Sequence, residues 1–110
     1  MSFALVVRFI GKDEESAEAI DELVADALPD IRNEPGTLLY TNHSVVEQPE
    51  SPSQKHVRVF YELYKDQAAH KAHVANVQKF LDALKPHLAA SPEITFLDVQ
   101  DSTSEEMPGA

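Results

Sequence analysis

Two histidines three residues apart, His70 and His73, share the stretch YELYKDQAAHKAH with Tyr61, Tyr64, Glu62 and Asp66. Imidazole changes charge near neutral pH. A histidine beside a phenol or carboxylate can therefore act as a general base, as a hydrogen-bond donor to a ligand, or as a metal ligand. On a helical wheel His73 falls near the centre of the apolar side, one turn after Ala69 and one turn before Val77, with His70 nearer its edge. An imidazole on an apolar face needs a partner or a pocket, because burying it unpaired is costly. Two readings stay open: a core histidine satisfied by a backbone carbonyl or a tyrosine, and a general base or donor at a ligand pocket. Tyr64, just ahead of the helix, is placed to partner His73 or to orient a substrate.

Other chemistries find less support. The spacing of His70 and His73 puts both on one helical face, but no third ligand is in view, and no metal site is expected. His43, His56 and His87 fall on strands or helix ends without diagnostic spacing. A catalytic pair of Glu62 and Asp66 would need both carboxylates in one cavity, whereas Asp66 is better employed capping the helix that follows it. With only Gly11, Gly36 and Gly109 the chain has neither a glycine-rich phosphate loop nor a serine nucleophile elbow. It has no cysteine, which removes disulfides, a thiol nucleophile and thiolate metal sites.

The elements that position these residues are read from periodicity and punctuation. Residues 3–11, FALVVRFIG, form a strand stopped by Gly11. Asp13 then caps a helix with Glu14 and Glu15 at the positive end of its dipole. Its buried face carries Ile20, Leu23, Val24, Ala27, Leu28 and Ile31, and Pro29 is expected to kink or end it. Asn33-Glu34-Pro35-Gly36 reads as a helix stop and a type II turn, with Gly36 at positive φ. Strands follow over 37–46 and 56–64, separated by an exposed hairpin loop containing Pro49 and Pro52. A helix from 66 to about 90 is interrupted near its end by Pro86, and a fourth strand runs from Glu93 to about Gln100. The domain is assigned to residues 1–100, and 101–110 is a polar tail expected to be disordered.

The order strand-helix-strand, strand-helix-strand predicts an α+β fold, a ferredoxin-like βαββαβ sandwich with a four-stranded antiparallel sheet. Phe3, Leu5, Val7 and Phe9 share one face of the first strand, yet the other face carries Ala4, Val6 and Ile10 with a single charge, Arg8. In the third strand Val57, Val59, Tyr61 and Leu63 oppose Arg58, Phe60, Glu62 and Tyr64, so neither face is simply polar. Helices of one chain cover one face only. A homodimer with sheets packed face to face, a dimeric α+β barrel, is therefore expected.

The 110 residues carry a formal charge of −10, from 19 acidic and 9 basic residues, which disfavours nucleic acid and anionic membranes as partners. The N-terminal stretch is too short to span a bilayer and lacks the features of a secretory signal, so a cytoplasmic protein is expected.

The segments EPGTLLY (34–40), FYELYKDQAAHKAH (60–73) and FLDALKPHLAASPEITFLDV (80–99) resemble the antibiotic biosynthesis monooxygenase domain family, over nearly the whole chain up to Val99. The resemblance implies a dimeric ferredoxin-like α+β barrel that oxidises a quinol or an aromatic polyketide-type phenol with molecular oxygen, using no cofactor. It also implies catalytic roles for His73 and Tyr64 and a pocket for a small aromatic or quinol-like ligand lined by Phe9, Tyr40, Phe60 and Phe80. The chain departs from the family in having no tryptophan, with Tyr64 where many members have one. The second helix histidine of many members falls on or near Gln78. The haem-degrading branch uses an asparagine on the first strand and a tryptophan ending the third, where this chain has Val7 or a neighbour and Tyr64. Haem degradation is thereby disfavoured. The alternative is a non-catalytic ligand-binding or stress-response barrel, because fold alone does not choose among activities.

Overall fold

The structure is a computed structural model and describes residues 2–103. Strand β1 (Phe3–Ile10) leads into helix α1 (Glu14–Arg32), and strands β2 (Thr37–Ser44) and β3 (Val57–Tyr64) follow. Helices α2 (Gln67–Asn76) and α3 (Gln78–Leu84), a turn of 3₁₀ helix (Lys85–His87) and strand β4 (Glu93–Asp98) complete the chain. The sheet has the order β2-β3-β1-β4 and is antiparallel throughout, the ferredoxin-like topology expected. Among the described residues no helix is long and apolar enough to cross a membrane. Of the tail expected to be disordered, residues 101–110, all from 104 on lie outside the described part.

Both long helices begin as their sequences dictate. The Asp13 carboxylate accepts from the Ser16 amide at 2.7 Å, and that of Asp66 from the Ala69 amide at 2.8 Å, each satisfying an amide that the first turn would leave without a partner. Of the two outcomes expected at Pro29, a kink or an end, the end does not occur: α1 runs through it to Arg32. Proline removes one backbone hydrogen bond, but the last turn is held by the burial of Ile31 and by the Asn33 amide, which donates to the carbonyls of Asp30 and Ile31. The second helical region is broken once more than expected. Asn76, a poor interior helix residue, ends α2, and the chain restarts as α3 after Val77.

Strand pairing sorts every sheet residue to a face. Toward the helices lie rows running across the strands, among them Tyr40–Glu62–Leu5–Phe96 and Asn42–Phe60–Val7–Ile94. Phe9, Phe60, Ile20, Val24, Tyr64, Phe80 and Leu84 belong to the core between this face and the helices. The Arg58 guanidinium clamps α1 to the sheet by donating to both carboxylate oxygens of Asp21 at 2.8 and 3.0 Å, the two-pronged geometry that makes arginine–carboxylate pairs specific. On the open face one row reads Leu39–Leu63–Ala4–Leu97, with Leu39 and Leu97 exposed at its two ends.

The type II turn at Gly36 is also corrected, because no glycine among the described residues has positive φ. What Gly36 supplies is the absence of a side chain: a Cβ there would lie 2.4 Å from Ala69 Cβ and 3.4 Å from Ala69 Cα. The turn before β2 thus presses directly on the first turn of α2. We predict that Gly36→Ala lowers unfolding free energy by about 1–3 kcal/mol. The double substitution Gly36→Ala/Ala69→Gly should recover part of that loss, a coupling readable in urea denaturation as a double-mutant cycle.

Candidate active site

The contact between the Gly36 turn and α2 brings Glu34 onto His73. Glu34 lies just past α1, in the turn before β2, and its backbone amide donates to the Ile31 carbonyl at 3.0 Å. Its Oε1 lies 2.7 Å from His73 Nδ1 and accepts from Thr37 Oγ1 at 2.6 Å, while Oε2 accepts from Asn76 Nδ2 at 2.8 Å. Burial pushes this carboxyl up, but the hydrogen bonds from Thr37, Asn76 and His73 outweigh it and hold the group below its ordinary value. An ionised Glu34 facing Nδ1 requires the proton on that nitrogen. His73 Nε2 is then the nitrogen turned to the sheet.

On the sheet, Nε2 meets Glu62, whose Oε1 is 3.8 Å away and accepts from the Tyr64 hydroxyl at 2.6 Å. Burial dominates here and raises the Glu62 carboxyl, reinforced by the charge of Glu34 and opposed by the Tyr64 hydrogen bond and by His73. Two carboxylates on opposite sides of one imidazole are thus pushed apart, Glu34 toward permanent charge and Glu62 toward proton exchange nearer neutrality. That separation is how a fold assigns distinct acid–base roles to like groups. The rings of Tyr40 and Tyr64 flank the imidazole at centroid distances of 5.3 and 5.4 Å. Burial first, then the charge of Glu62, raises both phenols and keeps them neutral hydroxyls.

Glu62 and His73 form one end of a cavity of about 240 Å³ between sheet and helices. Leu5, Val7, Phe9 and Tyr40 make its floor, Val74 and Leu81 its roof, and Pro92, Ile94 and Phe96 its outer rim. Ile94 and Phe96 are more than half exposed, so the mouth opens along β4. His70 also lines the cavity, close to Phe3, Tyr64 and Phe96, and burial followed by the charge of His73 lowers its affinity for a proton.

Of the residues expected to be catalytic or to line a pocket, the structure brings His73, Tyr40 and Phe9 to this cavity. It places Tyr64, Phe60 and Phe80 off its wall. Tyr64 is fully buried behind Glu62, to which its hydroxyl donates, and its ring packs behind His70 and His73. Phe60 packs edge-on against Phe9 and Tyr40 beneath the floor. Phe80 faces a different groove, between α1 and α3. Glu34 and Glu62 were not among the residues expected at the site. Glu62 had a signal, since strand alternation puts a carboxylate on the face that carries Phe60 and Tyr64. Glu34 had none, because nothing local connects a turn residue to a helix 39 positions later.

These features define a ferredoxin-like α+β domain with an apolar cavity whose polar groups gather at one end. The model of the antibiotic biosynthesis monooxygenase family matches residues 3–91, and the chain belongs to that family. Solved structures with the same fold include Rv0793 from Mycobacterium tuberculosis, at 18% identity and TM-score 0.77, over 94% of this chain and 100% of that one. A candidate antibiotic biosynthesis monooxygenase from Caulobacter crescentus has 23% identity and TM-score 0.77 over 91% of each chain. SnoaB, a cofactor-independent oxygenase from Streptomyces nogalater, has 14% identity and TM-score 0.74, over 94% of this chain and 98% of that one. Among curated proteins none matches the chain.

The two carboxylates make opposite contributions to stability as pH changes. Glu34, held below its ordinary value of 4.5, stabilises the fold above that value and loses its contribution as pH falls through the lower folded value. Glu62, held above 4.5, favours the fold while protonated, and that contribution is lost as pH rises through the higher folded value. Urea denaturation between about pH 3 and pH 8 should show a flatter acid limb in Glu34→Gln, while Glu62→Gln should gain stability relative to the native chain toward the alkaline end.

Proposed function

We propose that the chain is a monooxygenase that needs no cofactor and oxidises a quinol or an aromatic phenol of the polyketide type with molecular oxygen. The observation that carries this reading is the meeting of His73 Nε2 and the Glu62 carboxylate at the inner end of an otherwise apolar cavity. Membership of the antibiotic biosynthesis monooxygenase family and a fold shared with a cofactor-independent oxygenase support it.

The chemistry needs a base, a dry pocket and donors. A substrate hydroxyl lying against Glu62 and Nε2 gives up its proton there, and the resulting phenolate is the electron source for oxygen. In a phenol, one oxygen atom bonds to a ring carbon and becomes the second carbonyl of a quinone; in a quinol, which already holds both oxygens, it stays as a ring hydroxyl on the quinone. The other leaves as water, carrying the phenolic hydrogen and the hydrogen displaced from that carbon. Tyr40, neutral and on the cavity floor, is placed to donate to the anion, and the Glu34 hydrogen bond keeps Nε2 directed inward. Tyr64 acts through Glu62 as a positioning residue. Oxygen uptake with phenol and quinol substrates, compared under air and nitrogen without added cofactor, tests this. His73→Ala and Glu62→Gln should each lower the rate by at least about 100-fold. Tyr64→Phe, which removes one hydrogen bond to Glu62, should lower it by about tenfold.

A second reading is favoured by one feature: His73 is held between two carboxylates as a satisfied core histidine would be. In that case the chain is a non-catalytic ligand-binding barrel. No oxygen uptake occurs with any substrate, and His73→Ala changes the melting temperature but not ligand affinity.

We also propose that the working form is a homodimer joined through the open sheet face, with Leu39 and Leu97, the exposed ends of the row Leu39–Leu63–Ala4–Leu97, at the contact. The apolar ends of that row are the support for it. Sedimentation equilibrium should give twice the chain mass, and Leu97→Asp should shift the protein toward a single chain, since an unpaired charge in an apolar contact is costly.

A further inference from the structure

The dimensions and lining of the cavity bear on which members of this broad substrate class fit, an inference that rests on the cavity being the substrate site. Its volume is about 240 Å³. An apolar protein cavity of about 150 Å³ takes a single benzene ring. The present one is larger by a factor of roughly 1.6, close to the ratio of ring carbons in two fused rings to one, so two rings fill it and a third would reach the open mouth at β4.

Charge narrows the class again. Glu62 lines the cavity, Glu34 stands behind His73, and among the described residues no lysine or arginine contributes to the wall. A ligand carboxylate or phosphate would enter an apolar space beside Glu62 with no cation to pair with, which is the costly case for a buried anion. Orientation follows from where the polar groups lie. Tyr40, Glu62 and His73 gather deep in the cavity, whereas Ile94 and Phe96 frame the mouth and are exposed. A hydroxyl therefore points inward, the ring lies between Val7 and Leu81, and a second oxygen on the far side of the molecule meets solvent at β4.

We infer that the site takes a neutral phenol or hydroquinone of one or two fused rings, bound with one hydroxyl on Glu62 and His73, and gains nothing from a third ring. The test is calorimetric titration of the full chain under nitrogen with hydroquinone, naphthohydroquinone, anthrahydroquinone and a carboxylated naphthohydroquinone. Affinity should rise about tenfold from one ring to two, as expected for burying the added apolar surface, and should not rise from two to three. The carboxylated compound should bind at least about tenfold more weakly than its neutral parent. Leu81→Phe, which shrinks the cavity, should lose the two-ring ligand and keep the one-ring ligand. Val74→Ile makes the same comparison if that variant does not fold. Tighter binding of the three-ring compound, equal binding of the carboxylated one, or binding of none of the four would overturn the inference. If the two-ring ligand binds as expected but no oxygen is consumed in air, the ligand class stands and the monooxygenase reading fails.

Discussion

A carboxylate that accepts three hydrogen bonds from two different elements leaves little freedom to either of them. Glu34 is that group: Thr37 at the start of β2, and His73 and Asn76 on α2, all donate to a residue in the turn after α1. Hydrogen bonds to a charged acceptor are stronger than those between neutral partners, and this one is largely shielded from water, which strengthens them further. The arrangement also depends on Gly36, because a side chain at that position would push the turn away from Ala69 and lift Glu34 off the helix. Core packing, helix placement and the direction of the His73 ring thus converge on a few residues of one turn.

The same interaction organises the chemistry. By occupying Nδ1, Glu34 leaves Nε2 facing Glu62 and the cavity, and its charge adds to burial, the main cause, in raising the carboxyl on the other side of the ring. Glu62 is held from its own strand by Tyr64, so neither carboxylate is free to turn toward solvent. A site of this kind combines an apolar body with a small polar end, which suits recognition of a ring bearing one reactive hydroxyl. The openness of β4 supplies access without requiring the polar end to move.

Much of the fold was legible because it rests on local rules. Period-two alternation in β1 and β3 sorted residues to the two faces, and Asp13 and Asp66 cap the helices their sequences announce. The misreadings share a cause: tertiary packing overrode local preference. Pro29 was expected to kink or end α1, but Ile31 beyond it is buried in the core and the helix continues through the final turn. Gly36 was read through its freedom of φ, when its role is to let two elements touch. Asn76 breaks the second helical region and places its amide on Glu34, a destination no helical wheel includes.

The sequence by itself determined the α+β order of elements, the acidic character, the absence of thiol and phosphate-loop chemistry, and the inward face of His73. Each of these follows from composition or from a periodicity spanning a few residues. Only the tertiary structure decided what His73 touches. Its partners come from a turn 39 positions earlier and from a neighbouring strand, and the antiparallel order brings Glu62, Leu5 and Phe96 into one row beneath it. Phe60 lies beneath the cavity floor, Phe80 turns to the groove between α1 and α3, and Glu62 rather than Tyr64 lines the cavity beside His73. Periodicity assigns a side chain to a face. The position along that face, and the group opposite, depend on register and on long-range packing, which no local pattern encodes.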